Sequence, residues 1–62
     1  MTIQDILDKY DDDEYYQIEL TYEEYDDYIE TFESKWEVPD CILDEEATGK
    51  LVNRTLKIKI KE

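Results

Sequence analysis

The sequence contains no histidine and only one cysteine, one glycine and one proline among its 62 residues. Cys41 has no second cysteine for an internal disulfide, and zinc sites depend on cysteine and histidine ligands. We therefore expect no disulfide, no metal and no cofactor, with Cys41 as a buried thiol. No apolar stretch reaches the roughly 18 residues of a membrane-spanning helix, and residues 1–13 lack the basic start and apolar stretch of a signal peptide.

Catalytic groups are also scarce. A histidine general base and a glycine-rich phosphate loop are both missing, and the acidic run at 11–14 lacks the spacing of a calcium-binding EF-hand loop. A chain this short can hardly enclose a substrate. The sequence therefore predicts that the protein is not an enzyme.

Negative charge is what the chain has in excess. It carries 19 acidic and 7 basic side chains, a net charge of -12 at pH 7. Residues 1–49 hold 18 of the acids and two bases, whereas residues 50–62 hold five bases and one acid. This balance opposes direct binding to nucleic acid or to an anionic membrane. It exceeds the magnitude of about 2–8 that solubility requires of a small domain, but a charge run is often only a solvated surface, and both interpretations stay open.

The apolar pattern predicts a single domain over residues 1–62. Residues 2–10 predict a short helix, with Thr2 as its cap and Asp5 as the acidic partner three residues on. Residues 15–20 alternate like a half-buried strand, with Tyr16 on the apolar side.

A long helix is predicted from Thr21 to about residues 36–38. Thr21 and Glu24 fit a capping box, and Pro39 prevents continuation of the helix. Apolar residues at i, i+4, i+7 and i+11 form one stripe that we assign to the core: Tyr25, Ile29, Phe32 and Trp36. For Trp36, which closes the stripe, a role as an interface anchor is the alternative.

Two strands are predicted after this helix. One begins at residues 41–43, and the other covers residues 51–61 after a turn at 47–50. In the last strand Leu56, Ile58 and Ile60 face the core while the intervening lysines face solvent. The predicted fold is thus α+β, a small three-stranded antiparallel sheet with one long acidic helix packed on it and a short N-terminal helix, in the order α-β-α-β-β.

The acidic side chains of the predicted helix suggest a function. Four of them recur at i, i+4, i+7 and i+11: Asp26, Glu30, Glu33 and Glu37. On a helix their axial spacing is roughly 4.5–6 Å, which approximates the spacing of phosphates along a nucleic-acid strand. Such a row would compete with DNA for lysines and arginines in a protein cleft. Tyr15, Tyr22 and Tyr28 lie at the edges of the apolar faces, either as the rim of the core or as interface anchors.

Several segments resemble the short type II-A anti-CRISPR proteins, phage inhibitors that mimic DNA and block Cas9. The matching segments are residues 1–7, 14–15, 28–36, 44–46 and 55–57. The resemblance implies that Asp44, Glu45 and Glu46, supported by the helix acids, occupy the PAM-reading site of the guide-loaded nuclease, where arginines otherwise contact guanines. The chain departs from that family because it lacks the hairpin expected before the helix.

Residues 1–2 and 5–11 and the predicted α-β-α-β-β order are also similar to phage uracil-DNA glycosylase inhibitors, which mimic DNA as well. That resemblance implies that Glu19 and the helix acids contact the enzyme, while the apolar face formed by Tyr25, Ile29 and Phe32 captures one of its leucines.

Both resemblances imply a protein partner with a basic DNA-binding cleft in the cytoplasm of a bacterial host. The expected partner-binding residues are Asp26, Glu30, Glu33, Glu37, Asp44, Glu45, Glu46, Tyr15, Tyr22 and Tyr28. A small acidic adaptor or homodimer that uses the tyrosine-rich rim is the alternative. The sequence leaves the target, the oligomeric state and the strand order open.

Overall fold

The computed structural model describes residues 1–25 and 28–61, which form one α-helix and a four-stranded sheet. Helix α1 spans Ile3–Lys9, and strands β1 to β4 span Gln17–Tyr22, Ile29–Phe32, Ala47–Val52 and Thr55–Ile60. Single-turn 3-10 helices lie at Asp12–Glu14, Lys35–Glu37 and Asp40–Ile42. The order in the described part of the chain is therefore α-β-β-β-β.

Helix α1 begins with the predicted capping box. The Asp5 backbone N–H donates to the Thr2 hydroxyl at 3.2 Å, and the Thr2 backbone N–H donates to the Asp5 carboxylate at 3.1 Å. This second bond favours the charged carboxylate and lowers the pKa of Asp5 below its usual value. The apolar side of the helix, formed by Ile3, Ile6 and Leu7, is buried against the sheet as its spacing predicts.

The sheet consists of two antiparallel hairpins that lie side by side. Its strand order is β2-β1-β4-β3, and the two hairpins meet where β1 and β4 run parallel. Asn53 and Arg54 form the two-residue turn between β3 and β4, with φ angles of 51° and 62°. Positive φ at both positions gives a turn whose twist matches that of the flanking strands, and asparagine tolerates this conformation well.

The prediction of a three-stranded antiparallel sheet with a long acidic helix is wrong. The sheet is mixed and four-stranded, and the segment from Thr21 onward continues β1 to Tyr22 and then returns as β2. Like charges four residues apart, such as Glu33 and Glu37, would have destabilised a helix here. Tyrosine, isoleucine, threonine and phenylalanine favour strands, and pairing with β1 satisfies the backbone of this segment.

The two elements predicted after the helix are also misplaced. Residues 41–43 do not begin a strand, because Asp40–Ile42 is a 3-10 turn, and residues 47–50 lie inside β3 rather than in a turn. The last strand begins at Thr55 instead of residue 51, because residues 51–54 complete β3 and form the turn after it. Gly49 has a packing role instead of a turning role. A Cβ atom at Gly49 would lie 2.7 Å from the Ile6 Cγ2 atom, so the absent side chain allows α1 to approach the sheet.

The core lies between one face of the sheet and the segments that cover it. Besides the helix residues it contains Tyr15, Ile18, Leu20, Phe32, Val38, Ala47, Leu56, Ile58 and Ile60. Burial of Leu56, Ile58 and Ile60 is confirmed. The predicted burial of Tyr16, Tyr25, Ile29, Trp36 and Cys41 is wrong, since all five are exposed. The prediction places Tyr25, Ile29 and Trp36 in a helix and Cys41 in a strand that the structure does not contain within the described residues. The fifth error is at Tyr16, where the predicted alternation is reversed: Tyr15 is buried and Tyr16 is exposed, because β1 begins only at Gln17.

Candidate protein-binding surface

The two faces of the sheet differ in charge. Residues directly opposite one another in a sheet point to the same side, so the strand register defines two rows of solvent-facing residues that cross the sheet. One row is Thr31, Glu19, Lys57 and Lys50, and the other is Ile29, Thr21, Lys59 and Thr48. We call these eight residues the open face. It carries three lysines against one glutamate, and the Lys57 Nζ atom lies 4.0 Å from the Glu19 carboxylate. The open face is therefore positive on a strongly negative chain.

The other face of the sheet is covered by helix α1 and by residues 33–46, which together we call the covered side. Val38 from the second segment is buried in the core, and the Gln4 backbone N–H donates to the Leu43 carbonyl at 3.0 Å. The covered side carries eight acids and only two lysines, Lys9 and Lys35. The acids are Asp5, Asp8, Glu33, Glu37, Asp40, Asp44, Glu45 and Glu46. Charge is thus separated across the sheet.

Five of the acids predicted to bind the partner lie at two opposite ends of the sheet, two from the predicted helical row and three from residues 44–46. Glu33 follows β2 where β1 begins, and its backbone N–H donates to the Glu37 carboxylate at 3.3 Å. Asp44, Glu45 and Glu46 precede β3 at the opposite end. Strands of six residues place the two groups about 17 Å apart along the sheet.

The remaining acids of the predicted row contribute differently. Glu30 lies in β2 opposite Leu20, is half-buried, and lies 3.5 Å from the Tyr28 hydroxyl. Asp26 lies outside the described residues. Glu46 pairs with the N-terminal ammonium group at 3.1 Å, so this acid is partly compensated within the chain. Within residues 28–61, Glu30, Glu33 and Glu37 therefore share no α-helix, and the two acidic ends of the sheet take the place of the predicted row.

The three predicted tyrosines lie in two different environments. Tyr22 and Tyr28 pack their rings 5.6 Å apart at the end of the β1–β2 hairpin, where Tyr28 is exposed. Tyr15 is only 4% exposed and belongs to the core, so it cannot act as an interface anchor. Burial, and secondarily the charge of Asp12, raise the pKa of the Tyr15 hydroxyl above its usual value.

Trp36 is exposed, so its assignment to the core is wrong, and its alternative role as an interface anchor remains a prediction. Its side chain is 81% exposed and projects from the 3-10 turn Lys35–Glu37 on the covered side. It borders a cleft of about 230 Å³ whose walls include Leu7, Asp8, Lys35, Asp40 and Leu43. Spacing from Phe32 would bury Trp36 only in a helix. The turn-favouring residues Ser34 and Pro39, which bracket it, are the sequence signal for its exposure.

The described residues show no sign of a metal centre or a membrane span. Across residues 1–25 and 28–61, no three acidic or cysteine side chains are grouped so as to hold a metal ion. The same residues contain no helix of the length and apolar character needed to cross a bilayer. Comparison with known proteins found no matching family model, curated protein or solved structure. The surface chemistry therefore carries the functional argument.

Proposed function

We propose that this protein is a DNA-mimic inhibitor that binds, through its acidic covered side, in the DNA-binding cleft of a host DNA-processing enzyme. The observation that carries the proposal is the charge separation across the sheet. The covered side has eight acids and two lysines, whereas the open face has three lysines and one acid. This difference gives the molecule an electric dipole across the sheet, which would orient it as it approaches a charged partner. A cationic cleft would attract the covered side and leave the open face outward.

The partner follows from the resemblance in the sequence rather than from the fold. Guide-loaded Cas9 is the leading target, with Asp44, Glu45 and Glu46 directed at the arginines that read the PAM. Uracil-DNA glycosylase is the second target, although the α-β-α-β-β order that supported that resemblance is absent. Either partner places the protein in the cytoplasm of a bacterial host. The protein acts by occupying the site, without catalysis, cofactor or direct contact with nucleic acid.

The division of the acids into two ends refines this mechanism. Two acidic groups about 17 Å apart along the sheet can engage basic side chains on both walls of a cleft, whereas a single helical row would contact one wall. Both groups are exposed, so their attraction falls as salt increases. We therefore expect rapid, steered association and binding that weakens steeply with ionic strength.

The test is capture of each purified enzyme, with and without competing double-stranded DNA, by matched charge variants. Asp44→Asn/Glu45→Gln/Glu46→Gln removes three acids and should weaken binding at least about tenfold. The exposed pair between Glu46 and the N-terminus contributes little, so the fold should survive. The control is Lys50→Gln/Lys57→Gln/Lys59→Gln, which changes three charges on the open face and should leave binding equal or stronger. Equal loss in both variants, or capture of neither enzyme, contradicts the proposal.

A second candidate function is a small adaptor or homodimer. It is favoured by the exposed apolar residues Tyr25, Tyr28 and Ile29 around the β1–β2 hairpin, since tyrosines are frequent interface anchors. This function predicts binding or self-association that changes little between about 0.1 and 0.5 M salt, where charge screening becomes strong. A stable dimer in sedimentation experiments at both salt concentrations would favour it over mimicry.

A further inference from the structure

Trp36 combines unusual exposure with acidic surroundings. It is the only tryptophan in the sequence, and its side chain is 81% exposed. A large aromatic surface left in water is a cost to a monomer, and exposed tryptophans are among the residues that most often dominate binding energies. The covered side therefore presents an anchor as well as negative charge.

The indole ring of Trp36 already has a lysine ammonium group of its own chain next to it. The Lys35 Nζ atom lies 5.5 Å from the ring centroid and 3.5 Å from the Asp12 carboxylate. The 5.5 Å between the ammonium group and the ring centroid is within the range of a cation–π interaction. Because Trp36 is 81% exposed, a partner can still reach the ring, and a second cation there must share the ring with the Lys35 ammonium or displace it.

Two carboxylate residues line the same cleft as Trp36. Asp8 and Asp40 line the cleft next to Trp36, and both residues are exposed. The Asp8 Oδ1 atom accepts a hydrogen bond from the Gln4 side chain at 3.0 Å, which orients this carboxylate on the helix surface. A flat aromatic ring near acceptor oxygens suits a guanidinium group. The plane of the guanidinium can stack on the ring while the N–H groups at its edge donate hydrogen bonds to the oxygens.

We propose that Trp36 and its cleft capture an arginine side chain of the partner protein, with the guanidinium stacked on the indole and hydrogen-bonded to Asp8 or Asp40. This inference rests on the proposed function and specifies which basic residue of the cleft is recognised. A lysine would be bound less well at the same place, because its compact ammonium group neither stacks nor donates in a planar fork.

The single tryptophan makes the test direct. Full-length protein is titrated with an arginine-rich peptide and with a lysine-rich peptide of equal length and charge, while Trp36 emission and binding heat are recorded. The arginine peptide should bind about threefold to fivefold more tightly and should be the one that changes Trp36 emission. Trp36→Leu should abolish the preference in calorimetry while leaving lysine-peptide binding unchanged.

Tyr16→Leu is the matched control, because it truncates another exposed aromatic side chain outside the cleft and should keep the arginine preference. Circular dichroism checks that both variants fold. Equal affinity for the two peptides, or an arginine preference that survives Trp36→Leu, overturns the inference. If enzyme capture is insensitive to Trp36→Leu, this inference fails while the mimic function stands. If the arginine preference holds but neither enzyme is captured, the proposed function fails while the arginine site at Trp36 stands.

Discussion

The two faces of the sheet are built from the same strands yet carry opposite charges and opposite amounts of cover. In β4, Leu56, Ile58 and Ile60 are buried beneath the covered side, whereas the alternating Lys57 and Lys59 lie on the open face. Side chains alternate across a strand, so a pattern with a period of two residues becomes a separation in space. A basic C-terminal segment in the sequence thus becomes one positive face of a negative molecule.

This difference indicates which residues stabilise the fold and which residues are available to bind a partner. The covered face carries nearly all of the buried apolar contacts, so substitutions there should affect folding. The open face and the acidic loops carry exposed charge, so substitutions there should affect association and its salt dependence instead.

Adjacent residues of β4 should respond very differently to truncation. Ile58→Ala leaves a cavity in the core and should lower the free energy of unfolding by about 2–5 kcal/mol, which is most of the stability that a domain of this size usually has. Lys57→Ala removes an exposed side chain and should change stability by no more than about 0.5 kcal/mol. Urea denaturation followed by circular dichroism measures both. Similar losses in the two variants would contradict the assignment of the faces.

The contact between α1 and β3 gives the next largest effect. Gly49→Ala would place a methyl group 2.7 Å from the Ile6 Cγ2 atom, so the helix or the strand must shift. We expect a loss of about 1–3 kcal/mol in the free energy of unfolding. Thr48→Ala is the control, because Thr48 is the neighbour on the open face, and it should be close to neutral. A neutral Gly49→Ala would mean that α1 does not pack this closely.

Local patterns were sufficient for some elements of this fold. The cap at Thr2 and Asp5 predicts helix α1, and the alternation of Leu56, Ile58 and Ile60 predicts β4, because each signal depends only on neighbouring residues. The β1–β2 hairpin could not be obtained in this way. Its residues fit a helical repeat as well as a strand, and pairing with β1, which adjoins the sequence-distant β4, decides between them.

The candidate site was predictable in composition but not in arrangement. Glu33, Glu37 and the acids at 44–46 are exposed as a negatively charged surface requires, yet their division between the two ends of the sheet follows from the topology. The exposure of Trp36 and the burial of Tyr15 depend in the same way on where strands begin and end. Charge could therefore be counted from the sequence, whereas its position needed the register of four strands.

The smallest expected effect concerns the Tyr15 hydroxyl, which is buried under the covered side. Burial is the main cause that raises the pKa of this hydroxyl, and the charge of the nearby Asp12 carboxylate and a hydrogen bond to it raise the pKa further. The unfolded chain then loses this proton at a lower pH than the folded chain does. The resulting stabilisation is fully present below about pH 10, the ordinary tyrosine value, and is lost as pH rises through the folded-state pKa.

Tyr15→Phe should change the free energy of unfolding at pH 7 by no more than about 1 kcal/mol, because it removes at most one hydrogen bond. It should also lose less stability between about pH 9.5 and 11. Tyr16→Phe removes an exposed hydroxyl at the neighbouring position and controls for alkaline effects elsewhere in the chain. The measurement is the urea midpoint as a function of pH for all three proteins. If the urea midpoints of Tyr15→Phe and Tyr16→Phe depend on pH in the same way, the Tyr15 hydroxyl is exposed to water and is not part of the buried core.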